Sequence, residues 1–175
     1  MVYIPAEDSY LMSRILKEQI PNLLKQNPNL KFLEIGAGSG IHLETAKNLG
    51  VRNIFSSDID KKSVSHCKLL GFECIHSDLF ENIEDKFDII IFNPPYLPSE
   101  KYDDGGDITG GKKGNEVIIR FLQEAKNHLN KNGKIFLITS SLSEDVSFSL
   151  LGYDVKEIGC EKLFFERLCV WELII

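Results

Sequence analysis

A chain of 175 residues with a formal net charge of −6 has room for one domain with a proper core, and none for a second domain that reads a substrate. The acidic balance excludes the general basic surface that grips nucleic acid regardless of sequence. No basic segment followed by an apolar stretch opens the chain and no run reaches membrane-spanning length, so a soluble protein of the cytoplasm is expected.

Glu7-Asp8-Ser9 offers helix-capping oxygens ahead of Leu11, Met12, Ile15, Leu16, Ile20, Leu23 and Leu24, which recur at helical spacing. Pro21 interrupts that spacing and predicts a kinked helix or two short ones. Lys31 to Ile35 reads as a first strand running into the turn Gly36-Ala37-Gly38-Ser39-Gly40 and a helix from Ile41 to Leu49. Asn53 to Ser57 is a second strand ending in Asp58-Ile59-Asp60, with Asp60 capping a helix over Lys61 to Leu70. Phe72 to His76 is a third strand, placed at a sheet edge where Phe72, Cys74 and Ile75 would invite strand addition.

The run Phe87-Asp88-Ile89-Ile90-Ile91-Phe92 predicts a parallel strand buried on both faces, stopped by Asn93-Pro94-Pro95-Tyr96. Residues 103–114 hold five glycines in twelve positions and read as a mobile loop, after which Asn115 caps a helix carrying Val117, Ile118, Phe121, Leu122, Ala125 and Leu129. Lys134 to Ile138 is a fifth strand after an Asn132-Gly133 turn, followed by a short helix near Glu144 to Leu150. The runs Tyr153 to Ile158 and Leu168 to Ile174 are joined too tightly for a parallel crossover and should pair antiparallel. The four cysteines lack C-x-x-C spacing and read as reduced thiols, with no metal site. The histidines form no cluster in the sequence and read as surface or satisfied residues. Strands alternating with helices predict a doubly wound α/β fold: a mostly parallel seven-stranded sheet with an antiparallel final strand.

Chemistry collects at the carboxyl ends of the predicted strands, the edge where open α/β sheets bind ligands. The glycine turn lets a ligand approach the backbone, but Ile41 stands where a dinucleotide fingerprint wants its third glycine. Glu34 would repel a pyrophosphate, so a cationic ligand fits better. Asp58, twenty residues beyond Gly38, is placed to accept ribose hydroxyls, and Asp78 to accept from an exocyclic amine beside Leu79. With Asn93 these residues describe a pocket for S-adenosyl-L-methionine. Proline holds Asn93 extended, so its amide oxygen and a neighbouring carbonyl offer paired acceptors to a planar NH2 group.

Glu34 to Gly40, Asp58, Asp78 and Asn93 to Tyr96 together resemble the class I S-adenosylmethionine-dependent methyltransferases that act on a planar nitrogen. Residues 2–9 and 110–118 are similar to those of the HemK-like release-factor glutamine methyltransferases of archaea and eukaryotes, with Ser9 in place of a common threonine and Ile4 in place of a frequent acidic residue. The resemblance implies methyl transfer to N5 of the glutamine in the Gly-Gly-Gln motif of a class 1 release factor. By position it implies cofactor contacts from Ser9, Glu34, Gly36, Gly38, Asp58, Asp78, Leu79 and Asn93. Asn93, Pro94, Pro95 and Tyr96 would hold the substrate side chain. It further implies a single domain over residues 1–175 whose first 30 residues cap the cofactor site, and a small zinc-ribbon activator forming a heterodimer. The same tetrapeptide also serves methylation of an exocyclic amine of adenine or guanine in RNA or DNA, the alternative substrate. A domain that binds and does not catalyse is a third reading, opposed by the intact Glu34, Asp58, Asp78 and Asn93.

Overall fold

The computed structural model describes residues 4–95, 115–143 and 145–175. The predicted mobile loop and Tyr96 lie outside them. The chain begins with helix α1 (Glu7–Gln26) and then alternates: β1 (Lys31–Ile35), α2 (Ile41–Asn48), β2 (Asn53–Asp58), α3 (Lys61–Leu69), β3 (Glu73–His76) and β4 (Phe87–Phe92). Helix α4 (Glu116–Ala125), a 3-10 turn (Lys126–His128) and strands β5 (Leu129–Ser140), β6 (Asp154–Lys162) and β7 (Arg167–Ile174) complete it. No helix among the described residues is long and apolar enough to cross a membrane.

The seven strands form one sheet in the order β3-β2-β1-β4-β5-β7-β6. All neighbours pair parallel except β7, which runs antiparallel to both β5 and β6. The predicted fold class is therefore the observed one. Strand order reverses where β4 returns to lie against β1, and the ends of β1, β2 and β4 come level there: Ile35 is opposite both Ser57 and Phe92. Such a reversal opens a crevice beyond the carboxyl ends of the strands.

Alternation along the strands divides the core in two. On one face Phe32, Ile89, Ile91, Phe136 and Ile138 pack under α1, α2 and α3 through Leu11, Ile15, Leu43 and Val64. On the other, Leu33, Ile35, Ile90, Phe92 and Leu137 pack under α4 through Ile118, Phe121 and Leu122, with Phe80 against the Phe121 ring.

Five local expectations are corrected. Helix α1 runs as one helix through Pro21, which overturns the alternative of two short helices. That ring is exposed, and the packing of Ile20 before it and Leu23 and Leu24 after it outweighs a proline cost of about 3 kcal/mol. The N-cap of α1 is Ala6 and no side chain caps it, so Asp8 and Ser9 are buried within the helix instead. Asn115 does hold the N-cap position of α4, but without a side-chain cap bond. Asn132-Gly133 does not break the fifth strand: Asn132 takes φ of 64°, and the pairing with β4 shifts register in this region. The segment before β6 forms turns rather than a helix among its described residues, closed by Leu151 N–H donating to Phe148 O at 3.0 Å.

The cysteines also depart from expectation. Cys67 and Cys74 are buried free thiols, as predicted, but Cys160 and Cys169 are joined in a disulfide. The reason is the hairpin: its register puts the two directly opposite on β6 and β7. Asp60 does cap α3, accepting from Lys62 N–H at 3.0 Å.

Candidate active site

The glycine turn is tied to the end of β2. Gly36 N–H and Ala37 N–H both donate to Ser57 O, at 2.8 and 3.1 Å. Gly36 and Gly40 adopt φ of 70° and 77°, a left-handed conformation that a side chain disfavours. At Gly40 a Cβ would also stand 3.0 Å from Leu70. The next donor, Gly38 N–H, reaches Asp58 Oδ2 at 2.8 Å, while Asp60 N–H reaches Oδ1 at 2.8 Å. Asp58 thus braces the glycine turn through Oδ2 and the start of the next segment through Oδ1.

Glu34, next to the last residue of β1, is almost wholly buried. Its Oε1 lies 2.6 Å from His42 Nδ1, and the other ring nitrogen, Nε2, lies 3.1 Å from Ser9 O. Nε2 is placed to donate to the Ser9 carbonyl, and Nδ1 shares a proton with the Glu34 carboxyl, whose own pKa burial raises against the pull of His42. Burial lowers the His42 pKa, but the Glu34 charge and hydrogen bond, with the Ser9 carbonyl and the Asp8 charge, outweigh it and hold it raised. Glu34 Oε2 is buried and without a partner among the described residues. An unpaired buried carboxylate oxygen calls for a donor, which a ligand in the crevice would supply.

At the end of β3, Ser77 N–H donates to Asp58 O at 3.0 Å, which seats Asp78 and Leu79 beside the second strand. Asp78 Oδ2 accepts from Arg120 of α4 at 3.0 Å and is half-exposed. Leu79 is buried with φ of 48°, a left-handed value uncommon for a residue with a side chain.

Asn93 follows β4. Its Nδ2 donates to Asp8 Oδ2 at 3.0 Å, whereas its Oδ1 is buried and lacks a partner among the described residues. The bond to a carboxylate fixes which way the amide points, since a carboxylate accepts from the NH2 end alone. Asp8 Oδ1 in turn accepts from Ser9 N–H at 2.6 Å and Ser9 Oγ at 3.3 Å. Pro94 is buried and Pro95 half-buried behind Asn93.

The structure therefore brings Ser9, Glu34, Gly36, Gly38, Asp58 and Asn93 to one edge, with Asp78 and Leu79 at its outer end. Sequence reading missed Asp8, His42 and Arg120. The signal for His42 was available: an acidic strand end, a glycine turn, then a histidine one residue into the helix. For Asp8 the capping pattern concealed it.

A doubly wound sheet with one reversed strand, a glycine turn after β1 and Asn-Pro-Pro after β4 define a class I methyltransferase domain. The sequence model of the methyltransferase small domain matches residues 12–148. Among relatives, a putative protein N5-glutamine methyltransferase of Methanocaldococcus jannaschii is 36% identical, over 98% of this chain and 92% of that protein. The chain belongs to this methyltransferase family, in its HemK-like branch. A release factor glutamine methyltransferase of Rhodopirellula baltica is 31% identical over 76% of this chain, which spans about half, 52%, of that longer protein. The E. cuniculi Mtq2-Trm112 complex, responsible for methylation of the eRF1 translation termination factor, contains a chain of the same fold. It superposes with TM-score 0.73 at 23% identity, covering 98% of this chain and 96% of that one.

Proposed function

We propose that this chain transfers a methyl group from S-adenosyl-L-methionine to N5 of the glutamine in the Gly-Gly-Gln motif of a class 1 release factor. The observation that carries the reading is the Asn93 amide, held by Asp8 with its Oδ1 buried and without a partner among the described residues. That oxygen is an acceptor prepared for an N–H that no described residue provides.

Ser9, Glu34, Gly36, Gly38, Asp58, Asp78 and Leu79 hold the cofactor. The fit rests on the orphaned Glu34 Oε2, which suits a cationic or hydroxylic donor, and on a turn whose glycines leave the backbone uncovered. When bound, the cofactor supplies a sulfonium-activated methyl group. Asn93 Oδ1 and the Pro94 carbonyl accept the two N–H bonds of the target amide, which draws electron density onto its nitrogen and fixes its orientation. Pro95 stiffens the turn so that this pair of acceptors does not relax toward solvent, and Tyr96 packs on the flat amide.

Residues 1–175 act as one domain, with the first 30 residues capping the cofactor site. This is supported by the bonds from Asp8 to Asn93 and from Ser9 to His42. A small activator subunit, in the form of a zinc-ribbon protein, docks on β3. Its outer edge pairs with no described strand, and a cavity of about 350 Å³ lined by Phe55, Ile75, Ile83 and Phe87 opens beside it. The enzyme works in the cytoplasm, where its substrate acts.

The test is mass spectrometry of release factor, RNA and DNA after separate incubation with labelled cofactor, with and without a zinc-ribbon partner. One methyl group on the Gly-Gly-Gln glutamine is expected, reduced about 10²- to 10³-fold in Asn93→Ala. Label confined to nucleic acid overturns the reading in favour of a nucleobase amine.

A further inference from the structure

The register of the last strands carries the turn between β6 and β7 to the same sheet edge as the catalytic residues. Ser140, which ends β5, is opposite Leu168, and Lys162 is opposite Arg167. Residues 163–166 close the hairpin through Leu163 N–H donating to Glu166 O at 2.7 Å. On this tip Phe164 and Phe165 stand 90% and 84% exposed, their rings edge to face with centroids 4.6 Å apart.

Two large apolar rings in solvent are costly to keep unless something covers them, and the backbone on either side of these two is well tied. The Cys160–Cys169 disulfide spans the strands just below. Ser140 Oγ donates to the Glu166 carboxylate at 2.5 Å, and Ser141 and Arg167 exchange bonds of 3.0 and 2.9 Å. Leu163 packs into the core beneath α1. Helix α1 links the hairpin to the catalytic turn: Arg14 pairs with Glu161 at 3.7 Å, and one turn earlier stands Tyr10, 60% exposed and two residues from Asp8.

We propose that Phe164 and Phe165, together with Tyr10, form the docking surface for the folded protein substrate, touching it outside the methylated motif. The inference deepens the release-factor reading and rests on it. Two glycines and a glutamine give an enzyme little to hold, because only one of the three carries a side chain. Selection of one protein must come from contacts beyond the motif, and rigid aromatic anchors supply them at low entropic cost. A tip of two rings is far smaller than the roughly 800 Å² per partner of a stable dimer interface. It suffices as a secondary contact for a substrate already engaged at Asn93.

The test compares intact release factor with a short Gly-Gly-Gln peptide as substrates of the full chain, under conditions that give methyl transfer. Phe164→Ser with Phe165→Ser should raise KM for the factor by about tenfold or more, leaving kcat and all constants for the peptide unchanged. Phe164→Leu with Phe165→Leu should recover part of that loss, and carries the test if the serine variant unfolds in urea earlier than the parent. Unchanged KM for the factor overturns the proposal, as does equal loss on factor and peptide. So does a variant whose sedimentation changes while its KM does not, since a second copy then occupies the tip. A parent chain that methylates neither substrate even with a zinc-ribbon partner present overturns the release-factor reading itself, a failure visible before any variant is made.

Discussion

Asp8 decides how the catalytic amide is presented. Its Oδ2 takes the Asn93 NH2 group at 3.0 Å and so leaves the amide oxygen for a substrate. In Asp8→Asn that side chain can meet Asn93 with either end, and the amide is no longer held one way round. A buried hydrogen bond to a charged group contributes about 1.5–3 kcal/mol, so kcat should fall about 10- to 100-fold while the equilibrium affinity for cofactor, read by calorimetry, changes little. Equal losses in both would mean that Asp8 serves the cofactor pocket instead. The sequence showed Asn93 plainly, because the prolines after it restrict its backbone by local sterics. It concealed Asp8, because a bond between residues 85 positions apart leaves no trace in local pattern.

Among the elements, β3 is the most consequential for assembly. It is four residues long, lies at the end of the strand order and presents exposed Glu73 and His76 and half-buried Ile75. If the activator adds a strand there, Ile75→Asp should abolish co-purification of a zinc-ribbon partner while the isolated chain keeps its circular-dichroism spectrum. Persistent co-purification would place that partner elsewhere. The element pattern was readable because continuous β-branched runs mark buried parallel strands, as in β4. At Pro21 tertiary packing carried the helix past a local signal, and at Asn132 a left-handed residue with a register shift let the strand continue through a turn-like pair. The Cys160–Cys169 bridge was hidden because only the register between β6 and β7 shows that the pair face each other.

At the scale of the whole molecule, stability depends on a buried charge pair under the crevice. The Glu34 carboxylate holds the His42 pKa above the ordinary 6.5 against the effect of burial. A raised value means the folded state binds its proton more tightly than the unfolded chain does. The contribution is therefore complete below 6.5 and lost as pH rises through the raised value. Urea unfolding at a series of pH values should show stability declining on the alkaline side, with the decline flattened in His42→Leu. That variant should also lose about 3–5 kcal/mol, because Glu34 stays buried without its counter-ion. Stability that climbs with pH in the parent would contradict the raised His42 pKa.

The bond that joins the opening helix to the strand end also limits how this enzyme can change. Aspartate is nearly isosteric with asparagine, yet at position 93 it would set two carboxylates about 3.0 Å apart in a partly buried site. Like charges that close do not both remain ionised. One would have to take up a proton, or the helix start would have to move away. An acidic version of the catalytic tetrapeptide is therefore accommodated most directly when residue 8 no longer carries a negative charge.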